Sequence, residues 1–110
     1  ALRIPCSDEN NCRIEYRLAG ADANPYLVAA TILTGMLYGL ENIDEEDLPE
    51  PQQDDPLLPL FQQEAIETFA RCQYLTGSLG EAFSEQWIAS RLAELDWFES
   101  IVTKEESNLA

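Results

Sequence analysis

The chain reads as an α+β fold, mostly α: a short N-terminal β-hairpin followed by about three packed helices. Three observations predict this. Two short extended segments at the start flank a run of turn formers, Asp8, Asn10 and Asn11. Beyond Asn24, apolar residues recur at spacings of three and four rather than two. At 110 residues, 45% of them hydrophobic, the chain is long enough for one domain with a modest core and too apolar to be disordered.

Leu2 to Pro5 and Cys12 to Leu18 are the two extended segments, within an N-terminal stretch 1–19. An isolated hairpin is marginal in water, so these strands are expected to belong to a larger sheet or to pack on the helices. An unpaired edge then makes the hairpin the least protected part of the chain. Asn24 followed by Pro25 marks a helix start, an N-cap and then proline at the first helical position. The helix over 24–40 carries no charge from Pro25 to Leu40, and its apolar residues leave almost no polar face. Such a helix is expected to be buried, and at about 16 residues it is short for a membrane span.

Residues 41–59 differ in kind, with eight Asp and Glu, four Pro and no basic residue. That composition predicts an extended excursion. Asp44, Glu45, Glu46 and Asp47 could offer oxygen ligands to calcium, but the glycine and alternating spacing of a calcium-binding loop are missing, so a solvated linker is the better reading. A helical pair is expected over 60–104. The first helix runs from Leu60 to Tyr74. Thr76, Gly77, Ser78 and Gly80 form a break. The second runs from an N-cap at Ser84 to Val102, with a core stripe of Trp87, Ile88, Leu92, Leu95, Phe98, Ile101 and Val102. The polar tail from Glu105 is expected to fray.

Charge narrows the function. The net charge is -15, and residues 18–110 hold only Arg71, Arg91 and Lys104 against eighteen Asp and Glu. Such a surface repels nucleic acid and anionic lipid, so neither is expected as a partner. With no His, Ser-His and Cys-His nucleophilic sites are excluded. Cys6, Cys12 and Cys72 form neither a disulfide framework nor a zinc spacing, which predicts reduced thiols and a cytoplasmic setting.

Against that acidity, Arg3, Arg13 and Arg17 are three of the chain's six basic residues and lie in its first seventeen. On a strand, Arg13, Glu15 and Arg17 share a face, about 6.6 Å apart in succession, while Cys12, Ile14, Tyr16 and Leu18 take the other. Taken alone, Arg-Ile-Glu-Tyr-Arg reads most simply as a solvated ion-paired face. The spacing also suits a phosphate chain with a metal ion.

The setting of that pentapeptide carries a resemblance. Arg3-Ile4-Pro5 is followed by Arg13-Ile14-Glu15-Tyr16-Arg17 and then by Gly20-Ala21-Asp22-Ala23-Asn24-Pro25-Tyr26-Leu27. A helix of small apolar residues closes at Gly39-Leu40-Glu41-Asn42, and Leu79-Gly80-Glu81-Ala82-Phe83 follows further on. In order and spacing these elements resemble the C-terminal part of the glutamine synthetase catalytic domain, over nearly all of residues 1–110. The resemblance implies a piece of a longer ligase that joins ammonia or another amine to glutamate using ATP, through a γ-glutamyl phosphate, with Mg or Mn bridging the phosphates. It implies Glu15 as a metal ligand, Arg3 and Arg13 as nucleotide- and phosphate-binding residues, and Arg17 as a substrate-binding residue. It implies Arg3 and Arg17 as the catalytic residues. It further implies a homo-oligomer with sites between subunits, so that this segment is one wall of a site and inactive alone. The branch that glutamylates polyamines, and a free-standing acidic helical domain that kept the fold without catalysis, are the alternatives.

Overall fold

The computed structural model describes residues 2–5, 8–44 and 57–109. The chain divides into two compact units, Ala1–Leu33 and Thr34–Ala110. The mostly helical architecture with an N-terminal hairpin agrees with the sequence reading.

In the first unit, β1 (Leu2–Arg3) pairs antiparallel with β2 (Glu15–Tyr16), in a register that sets Leu2 opposite Tyr16 and Arg3 opposite Glu15. The strands are shorter than the extended segments that predict them. A 3-10 turn at Glu9–Asn11 lies between them, where the turn formers stand. Helix α1 spans Pro25–Asn42. Its start follows the expected cap: the Asn24 side-chain oxygen accepts hydrogen bonds from the N–H groups of Tyr26, at 3.0 Å, and Leu27, at 3.3 Å.

Helix α1, expected to be buried over 24–40, is not enclosed by the described residues. None of its residues is fully enclosed, and Tyr26 and Leu40 are 84% and 83% exposed. A helix apolar all round needs neighbours on every side, and the described residues do not supply them. Among the described residues no helix is long and apolar enough to cross a membrane.

In the second unit, α2 (Gln62–Arg71), α3 (Gln73–Leu79) and α4 (Glu81–Glu99) pack on one another, and α5 (Lys104–Leu109) follows. Ile66 of α2 is the one buried apolar side chain among the described residues, at 7% exposure. The single helix expected over 60–74 is two. Cys72 leaves helical geometry at φ -80° and ψ 86°, which ends α2 and lets α3 begin at Gln73. The expected break at Thr76, Gly77 and Ser78 is helical, because packing on α4 overrides weak local propensity.

Gly80, at φ 95°, takes the turn between α3 and α4 in a region open to glycine and strained for other residues. Helix α4 therefore starts at once, and Ser84 is not its N-cap. Ser84 is 3% exposed, and its hydroxyl donates to the Thr76 carbonyl at 3.0 Å, tying α4 to α3. The expected core stripe holds only in part: Trp87, Ile88 and Leu95 are half-buried, while Phe98, Ile101 and Val102 are exposed. Helix α4 ends three residues before Val102, at Glu99, with the Ser100 N–H donating to the Asp96 carbonyl.

Two polar clasps complete the unit. The Gln62 side chain donates to Glu94, which accepts from Arg91 at 2.7 Å, and the Arg91 guanidinium lies 4.6 Å over the Trp87 ring. Tyr38 and Tyr74 meet edge to face with centroids 4.7 Å apart, and the Tyr74 hydroxyl donates to Glu41 at 3.2 Å. Partial burial first, then the Glu41 carboxylate beside it, raise the Tyr74 phenol above its ordinary pKa. The residues that would include most of the acidic excursion, Glu45, Glu46 and Asp47 among them, lie outside those described, as does Cys6. Cys12 and Cys72 are free, exposed thiols.

Candidate active-site wall

The β1–β2 register does the first work at the site. Placing Arg3 opposite Glu15 brings a cation from β1 to the carboxylate of β2. Alternation along β2 then sets Arg13 and Arg17 on the same face as Glu15, one on either side. All four residues singled out in the sequence meet at one carboxylate.

Arg13 forks onto Glu15 Oε1 through Nε at 3.1 Å and Nη2 at 2.9 Å. Arg17 forks onto Oε2 through Nε at 3.3 Å and Nη2 at 3.0 Å. Arg3 reaches the same Oε2 with Nη1 at 3.4 Å, the longest of the contacts. Glu15 is the most covered of the four, its side chain 24% exposed, whereas each arginine side chain is more than half exposed.

That asymmetry determines what the cluster can do. Three guanidiniums against one carboxylate leave a local excess of two positive charges, in a chain whose net charge is -15. The excess faces solvent, where it attracts anions. Each guanidinium also keeps N–H donors beyond those given to Glu15, Arg3 most of all, and their planar forks match phosphate and carboxylate oxygens. Exposed ion pairs add little stability, typically about 0–1 kcal/mol each. The cluster is therefore better explained by what it presents than by what it holds together.

A hard divalent cation fits Glu15 by donor type, since it takes oxygen ligands. Among the described residues, however, no group of three or more acidic or Cys side chains could hold a metal ion. The described residues thus offer such an ion a single carboxylate, and its remaining ligands would lie elsewhere.

One support escaped the sequence reading. The Asn11 carbonyl accepts from Arg13 Nη1 at 3.3 Å, and the Asn11 side chain donates to the Asp8 carboxylate. The signal was in plain view: Asp8 and Asn11 are turn formers three residues apart.

Comparison with known proteins gives the family. The sequence matches the family described as glutamine synthetase, catalytic domain, over residues 1–109. It is 44% identical to the gamma-glutamylputrescine synthetase of Escherichia coli over 118 residues, 96% of this chain and 23% of that protein. It is 33% identical to lengsin of Mus musculus over 104 residues, 87% of this chain and 18% of that protein. It is 36% identical to the glutamine synthetase of Aquifex aeolicus over 112 residues, 87% of this chain and 24% of that protein. The chain thus spans about a quarter of the length of these relatives or less. No solved structure matches it at a significant level. The match runs over nearly the whole sequence, and the chain belongs to the glutamine synthetase catalytic-domain family.

Proposed function

We propose that these residues form one wall of the active site of an ATP-dependent carboxylate–amine ligase. The observation that carries this reading is the convergence of Arg3, Arg13 and Arg17 on Glu15, with exposed guanidinium donors left for anions. In the reaction, a glutamate side-chain oxygen attacks the terminal phosphorus of ATP and ADP leaves. An amine then attacks the resulting acyl phosphate carbon, loses a proton, and phosphate leaves.

The chain's own residues have distinct parts in this. Arg3 and Arg13 bind the nucleotide phosphates, and Arg3 stays with the phosphoryl group in transfer, where charge spreads over its oxygens. Arg17 orients the glutamate substrate through its planar fork. Glu15 fixes all three guanidiniums and offers one oxygen ligand to Mg or Mn, an ion that supplies charge neutralisation at the phosphates when bound. The remaining ligands, the amine pocket and the partner subunits of a cytoplasmic homo-oligomer belong to the intact protein. Neither nucleic acid nor a membrane has a part in this reading.

The acceptor is read as an aliphatic amine of the putrescine type in preference to ammonia. The 44% identity to a gamma-glutamylputrescine synthetase favours it over the 36% identity to a glutamine synthetase. A fold kept without catalysis is the competing reading.

Glu15→Ala in the intact protein tests all of this. Glutamate-dependent release of phosphate from ATP, assayed with putrescine and with ammonia, is expected to fall by at least about a hundredfold. Near-normal turnover would remove Glu15 from the site. No turnover by the unaltered protein with any amine would favour the non-catalytic alternative.

A further inference from the structure

The 3-10 turn between the strands has a chemical connection to the site that the family pattern does not assign. Arg13 makes three hydrogen bonds: two go to Glu15 and the third, from Nη1, goes to the Asn11 carbonyl at 3.3 Å. That carbonyl does not stand freely. Asn11 closes the turn twice on Asp8, through its backbone N–H on the Asp8 carbonyl at 3.0 Å and through its side-chain amide on the Asp8 carboxylate. The Arg13 guanidinium is thereby held between a carboxylate in front and a pinned carbonyl behind. A guanidinium fixed at both ends loses less freedom on meeting an anion than a free one.

We propose that Asp8 and Asn11 are positioning residues for Arg13. Their side-chain hydrogen bond fixes the turn, the turn fixes the Asn11 carbonyl, and the carbonyl aims Arg13 at the phosphate it binds. The inference rests on the reading of Arg13 as a phosphate-binding residue.

The turn's chemistry supplies a test that does not depend on a single variant. Asp8→Ala removes the acceptor. Asp8→Asn keeps an acceptor oxygen. Asn11→Asp sets two carboxylates against each other, and the double variant Asp8→Asn/Asn11→Asp restores the bond with donor and acceptor exchanged.

In the intact protein, Asp8→Ala and Asn11→Asp are each expected to raise the KM for ATP roughly tenfold. The KM for glutamate, the kcat and the thermal midpoint should move little. Asp8→Asn and the exchanged double variant should return the KM for ATP to within about twofold of the starting protein.

Arg13→Ala, measured alongside, separates the two ideas. If it leaves the KM for ATP unchanged, the phosphate role of Arg13 fails and the positioning role fails with it. If Arg13→Ala raises that KM and Asp8→Ala does not, Arg13 keeps its role and the positioning inference alone is overturned. Equal losses in both KM values and in thermal midpoint, without rescue by the exchanged pair, would reduce the turn to a structural element.

Discussion

The hairpin and the α2–α4 cluster are held together by opposite means. In the hairpin none of the described residues is buried, the ladder is two residue pairs long, and the organising contacts are ion pairs on Glu15. In the cluster, Ile66 and Ser84 are enclosed, and helices meet through apolar packing backed by the Gln62–Glu94–Arg91 clasp. Ion pairs at such exposure stabilise weakly, while burial of apolar surface is the main favourable term in folding. The region proposed to carry chemistry therefore contributes little to its own stability, and the region that carries stability holds none of the proposed site residues. One is a set of exposed charges gathered on Glu15, and the other is scaffold.

The sharpest way to break this contrast is to damage each region and read both outputs. Ile66→Ala should destabilise the helical cluster by about 2–4 kcal/mol, the cost of losing a buried side chain and leaving a cavity. Glu15→Ala, for all its expected effect on turnover, should shift stability by less than about 1 kcal/mol. Denaturant unfolding followed by Trp87 and Trp97 fluorescence measures both. If Glu15→Ala proved as costly as Ile66→Ala, the hairpin would be scaffold as well as site.

Amide exchange sharpens the same comparison without mutation. The amides that donate across the β1–β2 ladder should exchange at least about tenfold faster than those of α4 around Ser84, because opening the hairpin exposes little apolar surface. Slower exchange in the hairpin than in α4 would contradict the division of labour drawn here.

What was legible in the sequence follows the same line. The convergence of Arg13 and Arg17 on Glu15 was readable because alternation on a strand is local: residues two apart share a face whatever surrounds them, so the three could be placed together at once. Arg3 came in only through its motif, since cross-strand register is not local. The start of α1 was readable for the same reason, its cap lying within three residues of Asn24. Burial was not readable. The apolar helix over 24–40 implies cover on all sides, and the described residues do not give it. The break at Cys72 and the helical turn through Gly77 were also missed. The first is a departure of the Cys72 backbone from helical angles and the second goes with packing of α3 on α4, and apolar spacing encodes neither.

A smaller effect probes the local side of that contrast. Asn24→Ala removes the acceptor for two N–H groups at the start of α1 and should cost about 1 kcal/mol. Asn24→Asp keeps the acceptor and should cost little. The distinction is local to the cap, so helix content by circular dichroism should fall in the first variant and hold in the second. Equal losses would mean that the Asn24 side chain matters for something other than capping.

The smallest expected effect lies in α5, where the sequence predicted fraying. Thr103 and Glu106 form a reciprocal cap: the Thr103 N–H donates to Glu106 Oε2 at 2.8 Å, and the Glu106 N–H donates to the Thr103 hydroxyl at 3.2 Å. The backbone hydrogen bond from Thr103 first, then its side chain, hold the Glu106 carboxyl below its ordinary pKa of about 4.5. A carboxylate whose folded pKa is depressed stabilises the folded form above its unfolded pKa, and that contribution fades as pH falls through the folded value. Helix α5 should therefore hold at neutral pH and fray in acid, below the ordinary glutamate range. Glu106→Gln keeps an acceptor for the Thr103 N–H but does not titrate, so its α5 should fray no more in acid than at neutrality. Chemical shifts of the Thr103 and Glu106 amides across an acid titration measure this. An acid transition that persists in Glu106→Gln would belong to Glu105 or to the chain end, and the cap would not be what holds α5.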